Sequence, residues 1–302
     1  MHVSFHKMHG LGNDFVLLDW RNTVPPILDD DYGKLALMLG DRHGAIGFDQ
    51  MIILLPPIRD DCLTHILFFN HDGSSAHACG NGMRCVGDYL FKNQLNIKNN
   101  QFHATTLHGR LTLYNQHDEI AVDMGTPIFD WQQIPLSHEI DDGNQVAFDL
   151  PNHLEFDLTA VVLSMGNPHA VFYVDDADEV HIATLGPLLE HHPLFPQRAN
   201  IGFVSPIELN LFRLRVWERG AGLTLACGTG ACAAAIALIR LGHASRKATI
   251  GLQVDGALRY LKAGKPQPLW VRMDDKDGHI YLSGPSHYSY SGEIEVELNA
   301  TR

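Results

Sequence analysis

Two cysteines stand in nearly identical surroundings, Cys79 in ACGNG (78 to 82) and Cys227 in ACGTG (226 to 230). A Cys followed by Gly-x-Gly at the first turn of a helix faces free backbone N–H groups and the positive end of the helix dipole. That setting is expected to lower the thiol pKa and give it thiolate character. The same N–H groups bind a carboxylate, and the flanking glycines let it come close to the backbone. A thiol beside a carboxylate nest suits proton transfer at the α-carbon of an amino or hydroxy acid. One such Cys alone could equally be a buried structural residue before a Gly-rich turn. A racemase or epimerase, however, needs a base on one face of a carbon and an acid of matched strength on the other, and two equivalent thiols supply that pair. A Cys hydrolase needs one nucleophile, a His base and an oxyanion hole, with no use for a second Cys.

The elements that position these cysteines are themselves repeated. Gly12-Asn13 precedes FVLLD ending at Asp19, and Gly166-Asn167 precedes AVFYVD ending at Asp175. IGF recurs at 46 to 48 and at 201 to 203, each opening a predicted strand. FFN (68 to 70) ends nine residues before Cys79, and VWE (216 to 218) ends nine residues before Cys227. Gly109-Arg110-Leu111 and Gly256-Ala257-Leu258 each lead toward a β-rich stretch. Five coincidences in the same order indicate duplication, with units at 1–125 and 126–284 and the segment 285–302 returning to the first.

Within each unit the signals are mainly β: MIILL (51 to 55), ILFF (66 to 69), EIAVDM (119 to 124), LTAVVL (158 to 163), FRLRVW (212 to 217) and HIYL (279 to 282). One helix is predicted in each, over Met83–Leu95 and Ala231–Leu241. The second is almost wholly apolar and therefore buried on most sides. The expected architecture is a largely antiparallel sheet wrapped round a buried helix, twice over. Cys85 and Cys232 point away from the first pair at about 100° per residue and are expected in the core. Their spacing from Cys79 and Cys227 does not match turn-borne structural zinc motifs, so no metal site is expected.

Composition excludes several function classes. The 302 residues carry 22 Lys plus Arg against 35 Asp plus Glu, a formal charge of −13 with 19 His counted neutral. Nonspecific nucleic-acid binding is not expected of such a chain. The longest apolar run, Ala231 to Ile239, is far below the ~20 residues of a membrane span, so no membrane association is expected. The N-terminus lacks the pattern of a secretion signal, and five Cys is an odd number for a disulfide framework. A cytoplasmic protein with reduced thiols is the expectation. Neither GxGxxG nor GxxxxGK[ST] occurs, and no cofactor is expected.

The segments KMHGLGNDF (7 to 15), GFDQ (47 to 50), NHDGSSAHACGNGMRC (70 to 85), GNPHAV (166 to 171), RANIGF (198 to 203) and ERGAGLTLACGTGACAAA (218 to 235) closely resemble the diaminopimelate epimerase family. The resemblance runs from the N-terminus to about Pro285 and implies α/β (α+β) architecture. It implies two pseudo-symmetric domains, each a β-barrel-like sheet around a central helix, with the active site between them. It implies interconversion of LL- and meso-diaminopimelate without pyridoxal phosphate, on the way to lysine and peptidoglycan precursors. By motif, Cys79 and Cys227 become the acid/base pair, and His169 and Glu218 the neighbours that assist thiol deprotonation. The main chain at Gly80-Asn81 and Gly228-Thr229 would hold the carboxylate at the reacting carbon. Asn13, Gln50, Asn70, Asn167, Asn200, Glu218 and Arg219 would line the rest of the pocket. Such a set suits a substrate with two amino-acid heads, because Arg219 can grip a carboxylate in a fork and Asn amides serve both ammonium and carboxylate.

Taken singly, these residues have other readings: an Asn in a turn is commonly there for its backbone, and Glu218-Arg219 could be a solvated pair. Ser75 and Leu223 stand where the family often has Glu. The resemblance allows a homodimer. Two other functions use paired thiols, a proline racemase-like enzyme and a noncatalytic redox or amino-acid-binding protein with a reversible disulfide. The first would have no need of Arg219 and an Asn-rich pocket.

Overall fold

Aliphatic and β-branched runs of five to nine residues, broken by Gly-containing turns, set the strands of this protein. The computed structural model describes residues 1–76, 79–93, 97–107, 109–116, 119–140, 145–150 and 159–297. The expected helix end at Leu95, the first residue of LTAVVL (Leu158), the His77-Ala78 step before Cys79 and the last residues of the C-terminal segment lie outside them. The chain divides into two units, Met1–Val122 with the described part of Gly284–Arg302, and Asp123–Ser283. The fold is mixed α/β, mostly sheet with few helices.

The first unit contains β1 (His2–Gly10), β2 (Asn13–Asp19), α1 (Tyr32–Leu39), β3 (Gln50–Leu55), β4 (Thr64–Asn70), β5 (Ser75–Ala76), α2 (Gly80–Asn93), β6 (Gln101–Thr106), β7 (Gly109–Gln116) and β8 (Glu119–Asp123). Strands β1 and β2 pair antiparallel, β2 and β3 parallel, β3 and β4 antiparallel, β4 and β6 parallel, and β6, β7 and β8 antiparallel in turn. Short β5 folds back on β4. Residues of α2 from Gly80 to Val86 are fully or nearly fully buried, and β2, β3 and β4 supply Phe15, Ile52 and Phe68 to the core.

The second unit contains β9 (Val146–Ala147), β10 (Thr159–Ser164), β11 (Pro168–Tyr173), α3 (Ile182–Glu190), β12 (Asn200–Glu208), β13 (Leu211–Glu218), β14 (Gly222–Leu223), α4 (Gly228–Arg240), β15 (Thr249–Gln253), α5 (Asp255–Arg259), β16 (Leu269–Met273) and β17 (Ile280–Gly284). Its pairings follow the same series: β10 and β11 antiparallel, β11 and β12 parallel, β12 and β13 antiparallel, β13 and β15 parallel, β15 to β17 antiparallel, with β14 folded back on β13. An added edge strand completes each series, β18 (His287–Glu295) on β1 and β9 on β10. The apolar helix α4 touches β10, β11, β12, β13, β15 and β16, and is buried from Gly230 to Leu238.

Register fixes which positions of the two units correspond, and it corrects the sequence reading in three places. Gln50 pairs with Phe15, and Asn200 pairs with His169, so Gln50 matches Asn200. The IGF at 46 to 48 therefore lies in the loop before β3, whereas the IGF at 201 to 203 lies inside β12. Gly109 opens strand β7, but Gly256 sits in helix α5. Both central helices start at the glycine directly after Cys, three residues earlier than expected. Here a cap compensates for poor glycine propensity: the Cys227 sulfur accepts the Gly230 N–H at 3.4 Å.

The shared Gly-Asn step also has a physical cause. Gly12 and Gly166 take φ of 94° and 90°, a left-handed conformation that a side chain would strain. The turn places Asn13 and Asn167 at the mouths of β2 and β11.

Candidate active site

In the first unit Cys79 directly precedes α2, and its sulfur lies 3.6 Å from Asn13 Oδ1. Buried Asn81, one residue into the helix, donates Nδ2–H to the same oxygen at 3.2 Å. Asn13 in turn donates Nδ2–H to Asp49 Oδ2 at 2.8 Å. Gln50 and Asn70 face each other across β3 and β4, with Gln50 Nε2 donating to Asn70 Oδ1 at 3.0 Å and Asn70 Nδ2 to Ser74 Oγ at 3.0 Å. Beneath Asn13 lies a charged cluster. Burial alone would raise the Asp14 carboxyl, but hydrogen bonds from Arg42 and Lys7 hold it at about 2.

In the second unit Cys227 is the N-cap of α4 and is 4% exposed. Its sulfur meets the Gly230 N–H and, at 3.6 Å, the Thr229 hydroxyl. Burial pushes this thiol well above its ordinary value, and the Glu218 carboxylate beside it pushes further, outweighing the hydrogen bonds from Thr229 and Gly230. The expectation of a lowered thiol pKa at this helix start is thereby overturned: loss of water and a neighbouring anion exceed the effect of the helix N-terminus. Cys227 rests as a thiol beside a carboxylate. Glu218 is in turn held by the Thr224 hydroxyl, which donates to its Oε1.

His169, on β11, is 1% exposed. Burial drives its imidazole down to about 3, with Arg219 adding to the effect, so it is neutral at physiological pH. Its Nε2 lies 2.9 Å from Asn167 Oδ1. Asn200 staples two backbone points, donating Nδ2–H to Pro168 O at 3.0 Å and accepting the Arg219 N–H at 3.0 Å. The structure thus joins Asn167, His169, Asn200 and Arg219 through a chain of contacts, and sets Glu218 against Cys227. Cys85 and Cys232 are fully buried.

Three supporting residues escaped the sequence reading. Asp49 and Arg84, inside the GFDQ and GNGMRC motifs, hold the amides around Cys79. Glu190, the last residue of α3, is 3% exposed and accepts Trp217 Nε1–H at 2.8 Å and the Gly220 N–H at 2.9 Å. It brackets Glu218 and Arg219 from both sides. Its only sequence signal is a carboxylate closing an otherwise apolar helix, IATLGPLLE. Among the described residues no group of three or more His, Cys, Asp or Glu could hold a metal ion, and no helix is long and apolar enough to cross a membrane.

Each thiol directly precedes the central helix of its unit, and the two units, alike in strand pairing, make up one mixed α/β fold. A solved hydroxyproline epimerase from Agrobacterium vitis shares it, with a TM-score of 0.64 over 97% of this chain and 91% of that one, at 13% identity. Residues 5–129 and 161–269 match the family described as diaminopimelate epimerase. The diaminopimelate epimerase of Gluconobacter oxydans is 42% identical over 298 residues, covering 97% of this chain and 99% of its own. That of Ectopseudomonas mendocina is 40% identical over 298 residues, covering 98% and 100%. The chain belongs to the diaminopimelate epimerase family.

Proposed function

We propose that this protein interconverts LL- and meso-diaminopimelate by moving the α-hydrogen through Cys79 and Cys227, without a cofactor, as a step toward lysine and peptidoglycan precursors. The supporting observation is that each thiol directly precedes the corresponding helix of two units with one strand order, in a chain that matches the family end to end. In one direction one Cys is the thiolate that removes the proton and the other is the thiol that delivers one; after turnover the states are exchanged. Glu218 takes the Cys227 proton, because it is the carboxylate adjoining that sulfur. Neutral His169 is the second group that assists thiol deprotonation.

The N–H groups at Gly80-Asn81 and Gly228-Thr229 bind the carboxylate at the reacting carbon and stabilise the charge that develops there. Asn13, Gln50, Asn70, Asn167, Asn200, Glu218 and Arg219 recognise the remaining polar groups, and Arg219 is the fork for the distal carboxylate. A second charged head of this kind favours diaminopimelate over proline. The reading includes a cytoplasmic location and leaves a homodimer to be read by light scattering.

The test is a stereochemical assay with LL-diaminopimelate in D2O and no added cofactor. Early product is expected to carry deuterium at the inverted carbon while unreacted substrate stays protiated. Product that retains its original hydrogen would sink the two-thiol mechanism.

A further inference from the structure

The amides beside Cys79 are bounded by two charges of opposite sign. At one end Arg84, fully buried, donates Nη2–H to Asn81 Oδ1 at 2.9 Å. Asn81 Nδ2 donates to Asn13 Oδ1 at 3.2 Å, and Asn13 Nδ2 donates to Asp49 Oδ2 at 2.8 Å. A guanidinium only donates and a carboxylate only accepts, so both amides have one allowed orientation. The Asn13 carbonyl then faces the Cys79 sulfur, 3.6 Å away.

Each end of this relay is itself fixed. The Asp14 N–H donates to Asp49 Oδ2 at 3.0 Å, the Asp49 N–H to Asp14 Oδ1 at 3.0 Å, and Arg42 Nη2 to Asp49 Oδ1 at 2.7 Å. At the other end a Cβ on Gly10 would stand 3.2 Å from Arg84 Nη2 and 3.3 Å from Asn81 Cβ, so the bare backbone of β1 makes room for the guanidinium. Among the described residues the charged and titratable groups around the site are Lys7 and His9 on β1, Asp14 on β2, Arg42 and Asp49 before β3, and Arg84 and Cys85 on α2. The second unit has no such relay, since the matching positions are Ala199, Asn167, Thr229 and Cys232.

We infer that Asp49 and Arg84 are positioning residues for Cys79, locking two amides so that the Asn13 carbonyl accepts the Cys79 S–H and holds it as the acid. A carbonyl acceptor favours thiol over thiolate, whereas a turned amide would offer N–H to the sulfur and favour thiolate. The acid role rests on the two-thiol reaction proposed above, but the relay has a chemical readout of its own.

That readout is iodoacetamide alkylation of Cys79 in the full reduced chain, followed by peptide mapping across pH, with Cys227 in the same digest as reference. Asp49→Ala is expected to move the Cys79 midpoint down by about one pH unit, the scale of one hydrogen bond. Asp49→Asn keeps a carbonyl oxygen for Asn13 and Asp14 while losing the negative charge and the partly exposed Arg42, so it is expected to move the midpoint by clearly less than Asp49→Ala. A folded Asp49→Ala variant with the parental midpoint overturns the relay, as does an Asp49→Asn variant that shifts equally far. Should Asp49→Ala not fold, the Raman difference between the parent and Cys79→Ala carries the test. A Cys79 S–H band displaced to low frequency by a carbonyl acceptor is expected; a band at the free-thiol position, or none, overturns the relay. A Cys79→Ala variant that still epimerises breaks the two-thiol reaction alone, without touching the parental alkylation profile.

Discussion

Strand for strand the two units pair alike, yet the residues around their cysteines differ in kind. Where the first has Phe15, Gln50, Asn70, Asn81 and Arg84, the second has His169, Asn200, Glu218, Thr229 and Cys232. In the first, neutral amides separate Cys79 from the charges of Asp49 and Arg84. In the second, a carboxylate adjoins the sulfur of Cys227, and a neutral imidazole is buried on β11. The backbone frame that puts a thiol at a helix start is common to both units, whereas the neighbours that set the electrostatics of each sulfur are not.

The largest effect tests the thiol that both units carry at a helix start. Cys79→Ala and Cys227→Ala are each expected to lower epimerisation by about 10⁴-fold, since either direction needs a base and an acid together. A single Ala variant working near the parental rate would show that the units are not chemically paired. Next comes the carboxylate that stands where the first unit has Asn70. Glu218→Gln is expected to reduce kcat by about 10²–10³-fold while Cys227 becomes easier to alkylate at low pH, because a negative charge beside the sulfur is gone. An alkylation midpoint that stays put, or one that moves for Cys79 as well, would remove Glu218 from the role given to it here.

The imidazole supplies a stability test. Its folded value of about 3 lies below the ordinary 6.5. Between these values the unfolded chain binds a proton that native His169 does not, so stability falls as the pH drops from 6.5 toward 3. His169→Phe copies the residue of the first unit and should flatten this part of the profile, even if the larger ring costs about 1–3 kcal/mol at every pH. Urea midpoints at neutral and mildly acid pH measure it, and equal acid losses in parent and variant would contradict the assignment. The smallest effect is expected at Leu223, 42% exposed on β14. Leu223→Glu should change stability by no more than about 0.5 kcal/mol and leave turnover intact; a larger change in Tm would mean that the turn after Glu218 depends on that side chain.

Strands were legible in the sequence because their apolar runs have no competing period: MIILL, ILFF and FRLRVW fall within β3, β4 and β13. Helix starts were less so, since a Gly-x-Gly step has low helix propensity and only the capped geometry draws it into the first turn. The IGF and Gly-x-Leu coincidences misled for a related reason. Short tripeptides recur without structural meaning, whereas pairing register, which equates Gln50 with Asn200, is a long-range property.

By itself the sequence determined the two thiols at helix starts and the family, because these reside in residue identity and order along the chain. Tertiary structure decided the state of Cys227, where burial and Glu218 reverse the effect expected from the helix N-terminus. It also decided the roles of Asp49, Arg84 and Glu190, which act on residues distant in sequence or aim a neighbour's amide in one direction. Desolvation and hydrogen-bond polarity depend on what folding brings alongside a group, and no local spacing encodes either.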